Sequence, residues 1–289
     1  MAVLSNDDLI NALEKALPEI AEEHAEGAIS WTPSDWVPWD LGRNFAFLGG
    51  TDYDPSESKL SETAAAGLQA LLLTKDNLPS FHRVLAMHFP AFSDWRQLVG
   101  VWTAEDNRHS IVLRDYLVVT RALDPVEAEN RRRIHVVAGW RQTEEAVADL
   151  GPMDVLALLA VHENQCVTFI DKLIGYVDDK HLTQILNKVR TDDAVQAATF
   201  QAFLIAGLVA DQEATVLAVD KALATIEHVG SDIADFDVPG SFISDFEDSS
   251  TDAAIAKKLA DELKLDSLQE LSADAEAARQ RILAKAAGH

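Results

Sequence analysis

Basic residues are scarce: 24 stand against 48 acidic ones in 289 residues, a formal net charge of −24. Such a chain has no electrostatic footprint for nucleic acid and no general attraction to an anionic membrane surface. Cysteine is scarcer still. The single thiol, Cys166, excludes an intrachain disulfide, so nothing here asks for an oxidising compartment. Long apolar runs are missing too. The most apolar stretch, FQAFLIAGLVA (200–210), is too short to span a bilayer and reads as a buried core helix. The opening residues, MAVLSNDDLINALEKAL, lack a basic region followed by an apolar run. They read as an amphipathic helix capped by Ser5 or Asn6. A cytoplasmic protein without a membrane span is the expectation.

Strand signals are thin, with few alternating apolar and polar runs, whereas helical periodicity recurs almost everywhere. Helices are expected at roughly 6–26, 58–88, 92–122, 125–148, 152–178, 182–208, 211–229 and 251–286. Two irregular segments interrupt them. The tryptophan-rich 31–58 carries Pro33, Pro38, Pro55, Gly49 and Gly50, and 231–250 carries Pro239 and Gly240. No linker is long or biased enough to mark a boundary, so residues 1–289 read as one all-α domain. Within it, 1–57 form an N-terminal helix and a wrapping segment, 58–230 a bundle, and 231–289 a helical extension.

Four helices carry a polar interruption on an otherwise apolar stripe. The stripe of 58–88 runs Leu68, Leu71, Leu72, Lys75, Leu78, His82. That of 92–122 runs Leu98, Trp102, Asp106, His109, Leu113, Leu117. The third runs Leu156, Leu159, Glu163, Cys166, Ile170, and the fourth Leu186, Val189, Asp193, Gln196, Phe200, Phe203. One buried ionisable group is ordinarily a hydrogen-bonded core residue. Four in register point to a shared centre, because buried charges are costly unless they pair or bind metal. The spacing agrees. Lys75 precedes Asp106-x-x-His109 by 31 residues and Glu163 precedes Asp193-x-x-Gln196 by 30. A di-iron carboxylate bundle repeats this layout, a Glu on one helix and then Glu-x-x-His on the next.

The stretches WTAEDNRHSIVLRDYLVVTR (102–121), TKDNLPSFHR (74–83) and DWVPWDLGRNFAFLGGTDYDP (35–55) resemble the soluble acyl-acyl carrier protein desaturases, in their bacterial, mycobacterial-type branch. The resemblance spans about residues 30 to 230. It implies a ferritin-like four-helix bundle with added peripheral helices, usually a homodimer. It also implies a di-iron oxidoreductase that uses O2 and a ferredoxin-type donor to desaturate an acyl chain on acyl carrier protein.

The family's ligand positions fall on Lys75, Asp106, His109, Glu163, Asp193 and Gln196. His109 and Glu163 keep the family's residue types, and Asp106 and Asp193 keep the charge with one methylene fewer. Lys75 and Gln196 replace a glutamate and a histidine, and Cys166 replaces a threonine. A full di-iron centre is therefore not expected. The chain is expected to hold at most one metal ion, on His109 and Asp106 with Asp193 or Glu163, or none. In its place the Lys75 ammonium would neutralise the carboxylates; the alternative is that Lys75 snorkels to water. Two further readings stay open: a non-redox homologue that binds acyl chains or carrier protein, and a biosynthetic enzyme using Lys75 and Cys166 catalytically. His162, beside Glu163, is expected to point about 100° away from it. The run Arg131, Arg132, Arg133, with Arg141 nearby, is either a docking site for acidic carrier protein or a solvated face.

Overall fold

The computed structural model describes residues 4–89, 92–139, 147–225, 227–233 and 246–289. Among these residues there are helices and no strands. In chain order the helices are α1 (Asn6–Leu13), α2 (Leu17–Gly27), α3 (Glu62–Asp76), α4 (Leu78–His88), α5 (Trp95–Val119) and α6 (Pro125–Ala138). There follow α7 (Pro152–Ile174), α8 (Lys180–Ala210), α9 (Gln212–Ala224), α10 (Ser249–Glu262) and α11 (Ala273–Ala286). The fold is all-α. Arg141 and most of the irregular segment 231–250 lie outside the described residues.

Helices α3, α5, α7 and α8 form the central bundle, with α7 and α8 the most extensively paired. Helices α1 and α2 lie on α8, α9 lies on α7, and α10 and α11 pack together at the periphery. Gly67 lets α3 approach α7 closely, since a Cβ there would sit 2.8 Å from both Leu173 and Phe246.

Local chemistry sets the boundaries. Ser5 caps α1, its hydroxyl accepting from the Asp8 N–H, and Ser61 caps α3 through the Ala64 N–H. Three expected helices are each broken in two. The first breaks at residues 14–16. The second breaks at Asn77 because Pro79 has no N–H and its ring excludes the helical turn back to Lys75. The last breaks where Lys264 and Glu270 adopt left-handed backbone, φ 50° and 58°. Residues 31–58 form short 3-10 turns across the bundle. Arg121 holds them there. Its guanidinium lies 3.9 Å from the Phe45 ring centroid and donates to the carbonyls of Arg43, Asn44, Thr51 and Asp52.

The apolar core comes in two clusters, one on each side of a polar layer. Leu98, Trp102, Leu156, Leu159, Phe200 and Phe203 belong to one; Leu68, Leu71, Leu113, Leu117, Ile170 and Leu186 belong to the other. Helices α5, α7 and α8 cross from cluster to cluster through their polar interruptions, while α3 lies against the second cluster and ends in the layer at Lys75 and Asp76. Helix α8 is long and apolar enough to cross a membrane by composition alone. Here it carries buried Asp192, Asp193 and Gln196 into that layer, as a core helix does.

Candidate functional site

Lys75 arrives in the layer from the last turn of α3, and its side chain is 1% exposed. The ammonium does not snorkel. Nζ donates to Oδ1 of Asp106 (α5) and Oδ1 of Asp193 (α8), each at 2.9 Å, and lies 3.7 Å from Oε2 of Glu163 (α7). Burial opposes the charge, but the carboxylates outweigh it and hold the lysine pKa well above its ordinary value. No free amine is on offer.

His109 closes the other side of the cluster. Its Nδ1 lies 3.2 Å from Oδ1 of Asp106 and 3.3 Å from Oδ1 of Asp193, and its Nε2 lies 2.9 Å from Oδ2 of Asp192. Both ring nitrogens face carboxylates, so both donate and the ring is an imidazolium. Burial disfavours that charge; Asp193, with hydrogen bonds to Asp106 and Asp192, overcomes it and raises the pKa to about 9. Asp106 answers oppositely: despite burial, Lys75 and His109 hold its carboxyl below the usual range. Burial pushes Asp193 up, an effect Lys75 and His109 offset in part.

Glu163 stands apart. Its Oε1 accepts from the indole N–H of Trp102 at 3.0 Å, while its Oε2 is buried with no hydrogen-bond partner among the described residues. Burial, only partly countered by Lys75, lifts its pKa to about 8. The layer is thus balanced by its own side chains: Lys75, His109 and Arg108 stand against the carboxyls of Asp106, Asp193 and Asp192, while Glu163 is protonated at neutral pH. Gln196 is fully buried, and neither amide atom has a hydrogen-bond partner among the described residues.

Sequence reasoning missed three participants. The buried Oδ2 of Asp192 accepts from the Trp31 indole at 2.9 Å and from Arg108 Nε at 2.8 Å, besides facing His109. The Arg108 guanidinium lies 4.6 Å from the Trp31 ring centroid. Asp192 directly precedes Asp193 and falls off the apolar stripe, and Trp31 sits in a segment without period. The adjacent acids in "DD" were the available signal.

Donor atoms of Asp106, His109 and Asp193 lie within 4.8 Å of one another, around the position Lys75 Nζ occupies. A second such group is His162, Glu163 and Cys166 on α7. Cys166 Sγ is 3.7 Å from His162 Nε2. His162 therefore does not point away from Glu163 as expected; stacking on Phe81, with centroids 4.1 Å apart, turns its ring into the bundle. Burial, helped by the Lys75 charge, lowers His162 to about 3, and burial pushes the Cys166 thiol well up. Cys166 is thus a neutral thiol rather than a ready nucleophile. Beside His162 a small cavity of about 70 Å³ is lined by Thr74, Phe81, His135 and Gln165, among others.

Elsewhere, His82 pairs with Thr103 at 2.9 Å and stays outside the cluster. On α6, Arg131 pairs with Glu127 and Arg132 with Glu129, while Arg133 is exposed. Two of the three basic charges are thus offset by acids on their own helix.

The family model described as fatty acid desaturase matches residues 5–287. DesA2 of Mycobacterium tuberculosis is provisionally named an acyl-acyl carrier protein desaturase. It is 34% identical over 227 residues, covering 78% of this chain and 81% of that protein. DesA1 of the same organism, named likewise, is 47% identical over 131 residues, 45% of this chain and 39% of that one. The solved structure of DesA2 superposes with a TM-score of 0.70 at 26% identity, covering 89% of this chain and 93% of that one.

Proposed function

We propose that this chain, which belongs to the fatty acid desaturase family, is an acyl-acyl carrier protein desaturase-like protein of fatty-acid metabolism. In our reading it engages a carrier-bound acyl chain without assembling a di-iron centre. One observation carries this: the Lys75 ammonium donates to both Asp106 and Asp193 at 2.9 Å, from within the would-be metal position. A protonated lysine has three donors and no lone pair, so it cannot ligate, and its charge repels a neighbouring cation. Two iron ions held in the manner of the four-glutamate, two-histidine bundles ask for about four carboxylate charges. Asp106, Asp193 and Glu163 offer three at most, and Glu163 keeps its proton up to about pH 8. These residues do not fit a two-metal centre.

The partner by this reading is acyl carrier protein, docking on the face that bears Arg131, Arg132 and Arg133, and the assembly is a cytoplasmic homodimer of one-domain chains. A second reading, an active oxidoreductase fed by a ferredoxin-type donor, draws support from family membership and from the retained His109 and Glu163. Metal analysis separates the two. Protein purified with iron supplied is expected to hold fewer than two irons per chain and to bind acylated carrier protein. Lys75→Glu with Gln196→His is expected to raise the iron content, by removing a cation and supplying two ligands. Two irons per wild-type chain would overturn the proposal.

A further inference from the structure

The second donor group on α7 has a geometry that the family layout does not account for. His162, Glu163 and Cys166 bring a nitrogen, an oxygen and a sulfur to within 4.8 Å of one another. In a tetrahedral site with Zn–S of about 2.3 Å and Zn–N of about 2.0–2.1 Å, the two ligand atoms lie about 3.6 Å apart. Cys166 Sγ and His162 Nε2 lie 3.7 Å apart. The third donor is held by no hydrogen bond among the described residues. Glu163 Oε2 is fully buried, and its approach to Lys75 Nζ, 3.7 Å, is longer than a hydrogen bond.

We propose that His162, Glu163 and Cys166 form a mononuclear site for a divalent cation of the zinc or cobalt kind. A mixed N, O and S set suits such borderline ions and disfavours calcium or magnesium. Charge agrees. Binding displaces the protons of Glu163 and Cys166, and the carboxylate and thiolate so formed set two negative charges against one dication and shield it from the Lys75 ammonium, 3.7 Å from Oε2. Access agrees as well, since His162 lines the cavity that also holds His135, whose ring nitrogens are both buried without partners among the described residues. At about 70 Å³ that cavity has room for water beside the His162 ligand. The inference goes beyond the function proposed above and does not depend on it, because His162 and Cys166 hold no ligand position in the di-iron layout.

The test is a cobalt titration of the full chain after chelator treatment, read by absorption. One Co2+ per chain is expected, with intense visible bands of tetrahedral cobalt and a near-ultraviolet thiolate-to-metal band. Added Zn2+ should abolish both. Cys166→Ser should remove the thiolate band, and His162→Gln, at the cavity edge, should weaken binding at least tenfold. Folding of each variant is checked by circular dichroism. No stoichiometric binding of Co2+ or Zn2+ would overturn the site. So would binding that Cys166→Ser leaves unchanged, or cobalt lacking the thiolate band, which would mark ordinary acidic residues. Two bound irons without a thiolate band would instead count against the function proposed above.

Discussion

Trp102 on α5 and Glu163 on α7 are joined by one hydrogen bond, 3.0 Å from the indole nitrogen to Oε1. It fixes a carboxyl that is protonated at neutral pH, for burial lifts its pKa from 4.5 to about 8. Between those values the folded chain binds the proton and the unfolded chain does not, so this group makes stability fall as pH rises. Glu163→Gln keeps the acceptor for Trp102 and removes the titration. Its stability relative to wild type is expected to improve from pH 5 to pH 8, read as urea midpoints at both. Two proteins that weaken in parallel would contradict the assignment.

Lys75→Met is expected to be clearly destabilising. Removing one partner of a buried ion pair costs about 3–5 kcal/mol. Asp106 and Asp193, left facing each other, should then take up a proton near neutral pH. Carboxyls with raised folded-state pKa values favour folding more at low pH, so the gap to wild type should narrow between pH 8 and pH 5. Urea melts at the two values measure it. An unchanged midpoint would show that the ammonium carries no charge balance.

Asp192→Asn tests the missed acid. His109, raised from 6.5 to about 9, contributes stability that is complete below pH 6.5 and lost as pH climbs through 9. With Asp192 neutral, the histidine pKa should drop toward its ordinary value. The variant should lose about 3 kcal/mol at pH 6, and less as pH approaches 9. Melting across that range, with NMR titration of the His109 ring, gives both readouts.

Positions in the site were legible and several connections were not. Lys75, Asp106, His109, Glu163 and Asp193 could be placed because each interrupts an apolar stripe of period 3.6, and four stripes that must face one core bring their interruptions to one level. Asp192 escaped because one residue along a helix is a turn of 100°, which carried it off the stripe and toward Trp31. The break after Asp76 was overlooked although Pro79 announced it, since the leucines on either side kept their rhythm through the bend. His162 was misjudged by backbone angle alone; rotamer and Phe81 decide where an imidazole points.

Arg121→Met is expected to loosen residues 43–52 without melting the bundle. The native guanidinium holds four carbonyls of that segment, and methionine holds none. Limited proteolysis under native conditions, with cleavage sites read by mass spectrometry, should show faster cutting there by about tenfold or more. The thermal midpoint should move by only a few degrees, about what 1–2 kcal/mol produces in a chain this long. Cutting at wild-type rate would mean that the Phe45 and tryptophan contacts suffice.

The break at Asn77 also decides which charge position 75 tolerates. With α3 ending at Asp76, Lys75 lies in its last turn, at the negative end of the helix dipole. A cation there is favoured by about 0.3–1 kcal/mol, and by up to about 2 kcal/mol when partly buried. A glutamate at the same place meets that field with the wrong sign, and meets Asp106 and Asp193 besides. Lys75→Glu without metal is therefore an electrostatically frustrated fold, less stable than Lys75→Gln. An ion that relieves it is bound at the expense of that strain, so iron should raise the melting temperature of Lys75→Glu more than that of Lys75→Gln.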